Sequence, residues 1–271
     1  MPELPEVEVC RLGILPHIQQ QTITEIIVRH RQLRWPIPDE IEHAVGLAVV
    51  SVDRRSKYLM IKVDSGTILI HLGMSGTIRV IDKRTPLAKH DHVDIIFGNG
   101  KALRLNDPRR FGAVLWFENH IDEQGLLTKL GPEPLTDDFG AGYLYEKSRK
   151  RKVPIKTFIM NNVIVVGVGN IYANEALFQA GILPTTLAGS LSRKRLDKLT
   201  ELIKLVLDAA IKQGGTTLKD FTQSDGRPGY FAQSLNVYGR AGKPCVTCRE
   251  PLEEVRQSNR SSVFCSNCQK K

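Results

Sequence analysis

Hydrophobic positions along the chain follow two different rhythms. Up to about residue 118 they come in short runs rich in branched side chains: Ile23–Val28, Leu47–Val52, Tyr58–Val63, Thr67–Leu72, Thr77–Ile81, His92–Phe97, Ala102–Leu105 and Gly112–Phe117. Turn signals such as Asp64-Ser65-Gly66 and Gly98-Asn99-Gly100 separate them. Eight short strands at hairpin spacing predict an antiparallel sandwich or barrel. Ahead of them Pro2 and Pro5 open a short helix, with Leu4, Val7, Leu12 and Leu15 near helical spacing. At Gly131-Pro132-Glu133-Pro134 the texture changes, as at a domain linker, and the chain beyond it reads as helix. Ser192 is placed to cap a helix whose apolar stripe is Leu196, Leu199, Ile203, Val206, Leu207 and Ala210, and Gly214-Gly215 ends it. Val165–Gly169 is a tight glycine-bearing segment, and Asn170 is placed to cap a helix running through Ala180. Beyond Leu235 the chain reads as strand and turn. The expected domains are 1–130, 131–234 and 235–271.

Composition narrows the classes. With 271 residues, 41% hydrophobic and 25% charged, the chain fits neither disorder, collagen nor coiled coil. No run of 18 apolar residues predicts a membrane span. The start MPELPEVEVC lacks a charged-then-apolar leader, so the expected compartment is the cytosol. A net charge of +9 favours an anionic partner, although a basic enzyme of another kind would carry the same surplus. Basic residues cluster at Arg29–Arg34, Arg54-Arg55-Lys57, Arg109-Arg110, Arg149–Lys152 and Arg193-Lys194-Arg195, the last on the polar face of the long helix and expected to be solvated.

The cysteines are sharper. Cys245, Cys248, Cys265 and Cys268 form C-x2-C, sixteen residues, C-x2-C. A two-residue gap lets both thiolates of a knuckle reach one tetrahedral ion, so two knuckles predict a four-sulfur zinc site. With no open position for water, that zinc is structural. Cys10 stands alone in an apolar helix pattern and reads as core.

Two further groupings carry chemistry. In Arg109-Arg110-Phe111 a large ring directly follows two guanidiniums. The ring either inserts between bases while the arginines hold phosphates, or ends a strand with its face in the core. At the N-terminus Pro2 follows the initiator Met and precedes Glu3. Removal of Met1 leaves a secondary amine, and an α-amino group titrates near 7.7–8.0, so it is a far better nucleophile at pH 7 than a lysine. An amine beside an acid is the pairing that forms an iminium with an aldehyde-like carbon. The glycines of Val165–Gly169 leave two readings open as well: backbone amides facing a phosphate, or close helix packing.

The string Pro2-Glu3-Leu4-Pro5-Glu6-Val7-Glu8 resembles the start of the formamidopyrimidine-DNA glycosylases, bacterial repair enzymes for oxidised purines. The likeness continues in order through Lys57-Tyr58-Leu59, His71-Leu72-Gly73-Met74-Ser75-Gly76, His90-Asp91-His92 and Asn106-Asp107-Pro108-Arg109-Arg110-Phe111-Gly112. It runs on through Gly131-Pro132-Glu133-Pro134-Leu135, Val166-Gly167-Val168-Gly169-Asn170-Ile171-Tyr172, Tyr238-Gly239-Arg240 and the four cysteines, so it spans the whole chain.

The resemblance implies an α+β protein: an N-terminal antiparallel β-sandwich, a helical domain with a helix–two-turn–helix motif, and a four-cysteine zinc finger, with damaged duplex DNA in the cleft between. It implies that Pro2 attacks C1′, that Glu3 assists sugar opening and proton transfer, and that Lys57, Asn170 and Arg260 hold phosphates near the lesion. Met74, Arg109 and Phe111 would fill the hole left by the extruded base. His71, His90, His92, Lys152 and Tyr238 complete the implied DNA-contacting set, and Thr216–Tyr230 matches a lid over the base. The implied enzyme is a bifunctional glycosylase and abasic-site lyase with one structural zinc, monomeric, in the bacterial cytoplasm with the nucleoid. Arg249 and Asn259 depart from the family's usual glycines at turns that need φ > 0. Two alternatives stand beside this reading: an endonuclease VIII-like enzyme for oxidised pyrimidines, and a non-catalytic zinc-finger DNA-binding protein.

Overall fold

The computed structural model describes residues 2–118, 125–216 and 234–271. These fall into two compact units, one holding the described residues of 1–129 with 213–216, the other 130–212 with 234–271.

The first unit opens with α1 (Leu4–Ile18), followed by eight strands: β1 (Ile23–Val28), β2 (Val49–Arg55), β3 (Tyr58–Val63), β4 (Gly66–His71), β5 (Thr77–Asp82), β6 (Asp91–Phe97), β7 (Lys101–Asn106) and β8 (Ala113–Glu118). All eight expected strands are present. They form two antiparallel four-stranded sheets, ordered β2-β3-β4-β8 and β1-β6-β7-β5. Ile61, Ile68, Ile70 and Val114 from the first sheet share one buried cluster with Ile26, Ile78, Val93, Ile95, Leu103 and Leu105 from the second. That shared core makes the unit a sandwich. The reason is the period-2 pattern, which puts every second branched residue of each strand on the inner face.

Helix α1 joins the same core, with Leu4, Val7 and Leu15 packed inward as expected and one expected position facing out. It runs for 15 residues, with Pro16 in its last turn, and packs Val7, Cys10, Ile14 and Ile18 inward. Leu12 points out, 46% exposed. The inward positions recur at three- and four-residue steps, whereas Leu12 lies five beyond Val7, off that face. Cys10 is core as expected, and burial pushes its thiol up to about 12, where it is chemically inert. Inside the second sheet, the buried Arg104 forks onto Asp94 at 2.8 and 2.7 Å, and Arg29 reaches the same carboxylate at 2.6 Å. This network ties β6 to β7 and to the end of β1.

The second unit contains α2 (Tyr143–Ser148), α3 (Ile155–Ile159), α4 (Asn170–Ala180), α5 (Arg193–Lys212) and the hairpin β9 (Glu253–Gln257) with β10 (Arg260–Phe264). In α5 the six stripe residues are all buried, and Ser192 Oγ accepts the Arg195 N–H at 3.4 Å, as an N-cap does. Arg195 is not simply solvated: its guanidinium donates to the carbonyl of Lys270 at 2.9 Å and to that of Lys271, fastening the tail to the helix. Gly131 is packed against the 161–164 turn, where its N–H donates to Asn162 O at 2.7 Å and a Cβ would lie 2.7 Å from Val163 O. Only glycine fits there. The β9–β10 turn has Ser258 at φ 48° and Asn259 at φ 61°, the doubly positive pattern that matches strand twist in a two-residue hairpin. Arg249 also sits at positive φ, 69°. The chain therefore keeps both turn shapes without the glycines. No helix among the described residues is long and apolar enough to cross a membrane.

Candidate active site and nucleic-acid interface

Pro2 and Glu3 are buried where α1 begins, Glu3 only 2% exposed at the N-cap. The Glu3 N–H donates to Glu6 Oε2 at 2.8 Å, so the peptide following Pro2 is held from inside the helix. The other oxygen of Glu6 accepts the Thr216 N–H at 3.0 Å and its hydroxyl at 2.9 Å. Sequence reasoning gave Glu6 no role. The signal was its position three residues after Glu3, the spacing of a capping box.

Lys57 occupies the tight β2–β3 turn behind Ser56, whose φ is 57°. That turn is linked to α1. Glu8 accepts Arg54 Nε at 2.9 Å, and Arg54 Nη1 donates to Ser56 O at 2.9 Å. Burial would raise the Glu8 carboxyl, but Arg11 and Arg54 outweigh it and hold the group below its ordinary value. The helix that carries Pro2 and the turn that carries Lys57 are thus fastened together by charge-assisted bonds.

His71 ends β4, its ring centroid 5.1 Å from that of Tyr58. Burial, then the charges of Lys57 and Arg34, drive its imidazole down to about 4. It is neutral at pH 7. Its Nδ1 accepts the Gly73 N–H at 3.0 Å, which puts the ring proton on Nε2, ready to donate.

Met74 and Phe111 are both exposed, Phe111 to 47%. The core alternative for Phe111 is thereby excluded. The Arg109 guanidinium lies 5.0 Å from the Phe111 ring centre, so cation and ring form one projecting group. Gly73, at φ 63°, presses against the backbone of Phe111, where a Cβ would come within 2.4 Å. Asp107, fully buried, joins the two turns: its carboxylate accepts Ser75 Oγ at 3.1 Å and the Gly112 N–H at 2.8 Å. His92 is buried, with Nε2 2.9 Å from Asp107 O, and His90 lies beside it at 6.2 Å between ring centroids. These residues therefore gather at one place in the first unit, while Asp107, which holds them, was not singled out from the sequence.

In the second unit Asn170 is the first residue of α4 rather than its cap, a position taken by Gly169. Gly167, at φ 76°, and Gly169 supply the sharp turn before the helix, so no side-chain cap is required. The Asn170 Oδ1 is buried and has no hydrogen bond among the described residues. It stands at the N-terminus of α4, the end of a helix dipole that favours an anion. Lys152 is exposed. Tyr238 is half-buried, its N–H donating to Glu175 at 2.9 Å. Glu175, buried in α4, also accepts the N–H groups of Asn236 and Val237.

Arg260 opens β10 opposite Gln257 and is exposed beside a cavity of about 340 Å³. The strand that presents it is anchored by Lys156, whose buried Nζ donates to Ser261 O at 2.6 Å and Ser262 Oγ at 2.7 Å. Asn174 of α4 adds a bond from the Val263 N–H at 3.0 Å. The cation that anchors β10 lies outside the basic run Arg149–Lys152: it is Lys156, whose own neighbours in sequence are apolar or neutral.

The four cysteine sulfurs lie within 4.8 Å of one another, with Cys245–Cys268 at 3.9 Å and Cys248–Cys265 at 3.4 Å. A tetrahedral ion with sulfur at about 2.3 Å requires sulfur–sulfur edges of about 3.8 Å. The donor set and its dimensions fit zinc and leave no place for a fifth ligand.

Comparison with known proteins agrees with this geometry. Sequence profiles of the formamidopyrimidine-DNA glycosylase N-terminal domain, of its H2TH domain, and of a zinc finger found in FPG and IleRS match residues 1–114, 130–222 and 242–271. The chain belongs to the formamidopyrimidine-DNA glycosylase family. A formamidopyrimidine-DNA glycosylase of Colwellia psychrerythraea is 70% identical over 269 residues, 99% of each chain. That of Alteromonas mediterranea is 58% identical over the full length of both. Among solved structures, the Lactococcus lactis enzyme (a G226P mutant complexed with Fapy-dG-containing DNA) superposes with a TM-score of 0.93 at 30% identity over all of both chains. The Thermus thermophilus enzyme gives 0.89 at 33% identity, over 99% of this chain and 98% of that one. Like the family's zinc finger, the four cysteines hold one structural zinc. The expected lid from 217 onward lies outside the described residues.

Proposed function

We propose that the chain excises oxidised purines from duplex DNA and cuts the strand at the resulting abasic site through a Schiff base on Pro2. The observation that carries this reading is the N-terminus of α1, where Pro2 adjoins a buried Glu3 whose own N–H is fixed by Glu6. After Met1 is removed, the Pro2 amine attacks C1′ of the damaged nucleoside and the base leaves with the glycosidic electron pair. Glu3 protonates the ring oxygen as the sugar opens, giving an iminium. The iminium acidifies C2′, loss of that proton expels the 3′ phosphate by β-elimination, and a second elimination expels the 5′ phosphate. Water then releases Pro2.

The other residues bind and shape the DNA. A base inside a duplex must be extruded before its C1′ can be reached, and Met74, Arg109 and Phe111 fill the gap. Lys57, the Nε2–H of His71, His90, Lys152, Asn170, Tyr238 and Arg260 hold backbone phosphates, which gives affinity without sequence preference, while His92, buried with Nε2 on the Asp107 carbonyl, supports His90 from behind and does not itself reach DNA. Segments 1–130, 131–234 and 235–271 act as the catalytic, helix–two-turn–helix and zinc-finger domains. The protein works as a monomer in the cytoplasm, at the nucleoid.

The test is cleavage of duplexes carrying 8-oxoguanine, a formamidopyrimidine or thymine glycol by the purified protein. Faster cutting at the two purine lesions is expected. A preference for thymine glycol would indicate an oxidised-pyrimidine enzyme instead. Glu3→Gln should lose most activity on a damaged base and keep part of it on an abasic site, because an abasic site needs no base to leave.

A further inference from the structure

The turn that presents Arg109 and Phe111 contains a strained residue. Arg110 has φ 58°, a conformation unfavourable for a residue with a Cβ. Its N–H donates to Asp107 O at 3.2 Å. In its side chain, Nη1 lies 2.8 Å from Nε2 of His30. A guanidinium can only donate, so Nε2 of His30 must offer its lone pair, and the imidazole in this pairing is neutral with its proton on Nδ1. His30 is half-buried just beyond β1. The same segment reaches the turn a second time through its backbone, Arg34 N–H to Gly112 O at 3.0 Å.

The charges around His30 make this bond sensitive to its protonation. Arg110 faces it directly, and the His92 ring lies 5.3 Å away, with His90 behind His92. Its sequence neighbours Arg29 and Arg31 pair with Asp94 and Asp39, at 2.6 and 2.8 Å. No carboxylate contact of His30 offsets the guanidinium among the described residues. A proton on Nε2 would remove the acceptor and set two cations against each other.

We propose that neutral His30 is the positioning residue of the wedge: it accepts the Arg110 guanidinium, fixes the strained turn, and so aims Arg109 and Phe111, and it releases them when protonated. This rests on the reading of Arg109 and Phe111 as the group that replaces the extruded base. His30 itself touches neither base nor sugar. Its loss should therefore slow base extrusion and leave the chemistry at C1′ alone.

The experiment compares single-turnover excision of 8-oxoguanine from a duplex with cutting of the same duplex carrying a pre-formed abasic site, at pH 8 and pH 5.5. The ratio of the two rates cancels the titration of Pro2, which both reactions share. His30→Ala should lower the ratio at pH 8 about fivefold, the worth of one hydrogen bond. His30→Gln, which offers a neutral acceptor at every pH, should restore it. In the wild type the ratio should be lower at pH 5.5 than at pH 8, because a proton on Nε2 removes the acceptor. In His30→Gln it should fall less. An unchanged ratio in His30→Ala overturns the proposal. So does an equal loss in both variants with an unaltered pH response, which would make His30 packing only. A wild type that cuts neither substrate would instead refute the repair function on which the proposal stands.

Discussion

Ser75 and Asp107 are hydrogen-bonded at 3.1 Å, and through that contact the turn bearing Met74 is fastened to the turn bearing Phe111. The second oxygen of Asp107 takes the Gly112 N–H at 2.8 Å. One buried carboxylate therefore sets the spacing of two exposed apolar side chains that have no core to hold them. Asp107→Asn puts an amide donor against one of these donors. It should destabilise the fold by about 1–3 kcal/mol and slow excision from duplex more than cutting at an abasic site. Ser75→Ala should do the same more mildly, about 1 kcal/mol. Thermal unfolding and the two-substrate rate comparison check both. Equal slowing on the two substrates would detach Asp107 from base extrusion.

Lys156 and the zinc do one job from two sides. The ion closes the base of the hairpin, and Lys156 clamps the strand beginning at Arg260. Lys156→Met leaves Ser261 O and Ser262 Oγ without this donor, at a cost of about 2–4 kcal/mol. It should weaken DNA binding while zinc stays bound, as measured by metal content and by titration with labelled duplex. Arg260→Ala should bind zinc normally and lower the salt slope of DNA binding by about one. Chelation of zinc should abolish binding. Normal binding by Arg260→Ala would place the phosphate clamp elsewhere.

His71 gives a pH signature. Its imidazole is driven to about 4 in the fold against about 6.5 when free. Between those values the unfolded chain takes up a proton that the folded chain refuses. Stability therefore falls as pH drops from about 7 to 4, by roughly 3 kcal/mol from this group. His71→Gln removes that part of the slope. Denaturant unfolding at pH 7 and pH 4.5 measures it. The same acid loss in the variant would assign it to other groups, such as Asp94, which Arg104 and Arg29 hold below its ordinary value against the effect of burial.

The sandwich was legible because its strands are short runs rich in branched residues set between turn signals, and the zinc site because four thiolates at fixed spacing have few other uses. The stripe of α5 and its Ser192 cap were equally plain. One position of α1 was not, since Leu12 and Ile14 are alike as residues and only the sheets beneath decide which is buried. Glu6 carried a signal, its capping-box spacing to Glu3, whereas Asp107, Glu175 and Lys156 escaped for a shared reason. Each of those three is a charged residue that reaches backbone groups or hydroxyls 32 to 106 positions away, and neither spacing nor residue type announces those partners. His30 was hidden inside a basic run, where its role depends on the conformation of a turn 80 residues later.

Borohydride trapping tests the central claim most directly. Incubated with an abasic-site duplex and reductant, the mature chain should become covalently attached to the DNA, with the adduct on the amine of Pro2 in the N-terminal peptide. A protein verified to retain Met1 should give no adduct, because its proline nitrogen is an amide. An adduct on any other residue, or undiminished trapping with Met1 in place, would contradict the account.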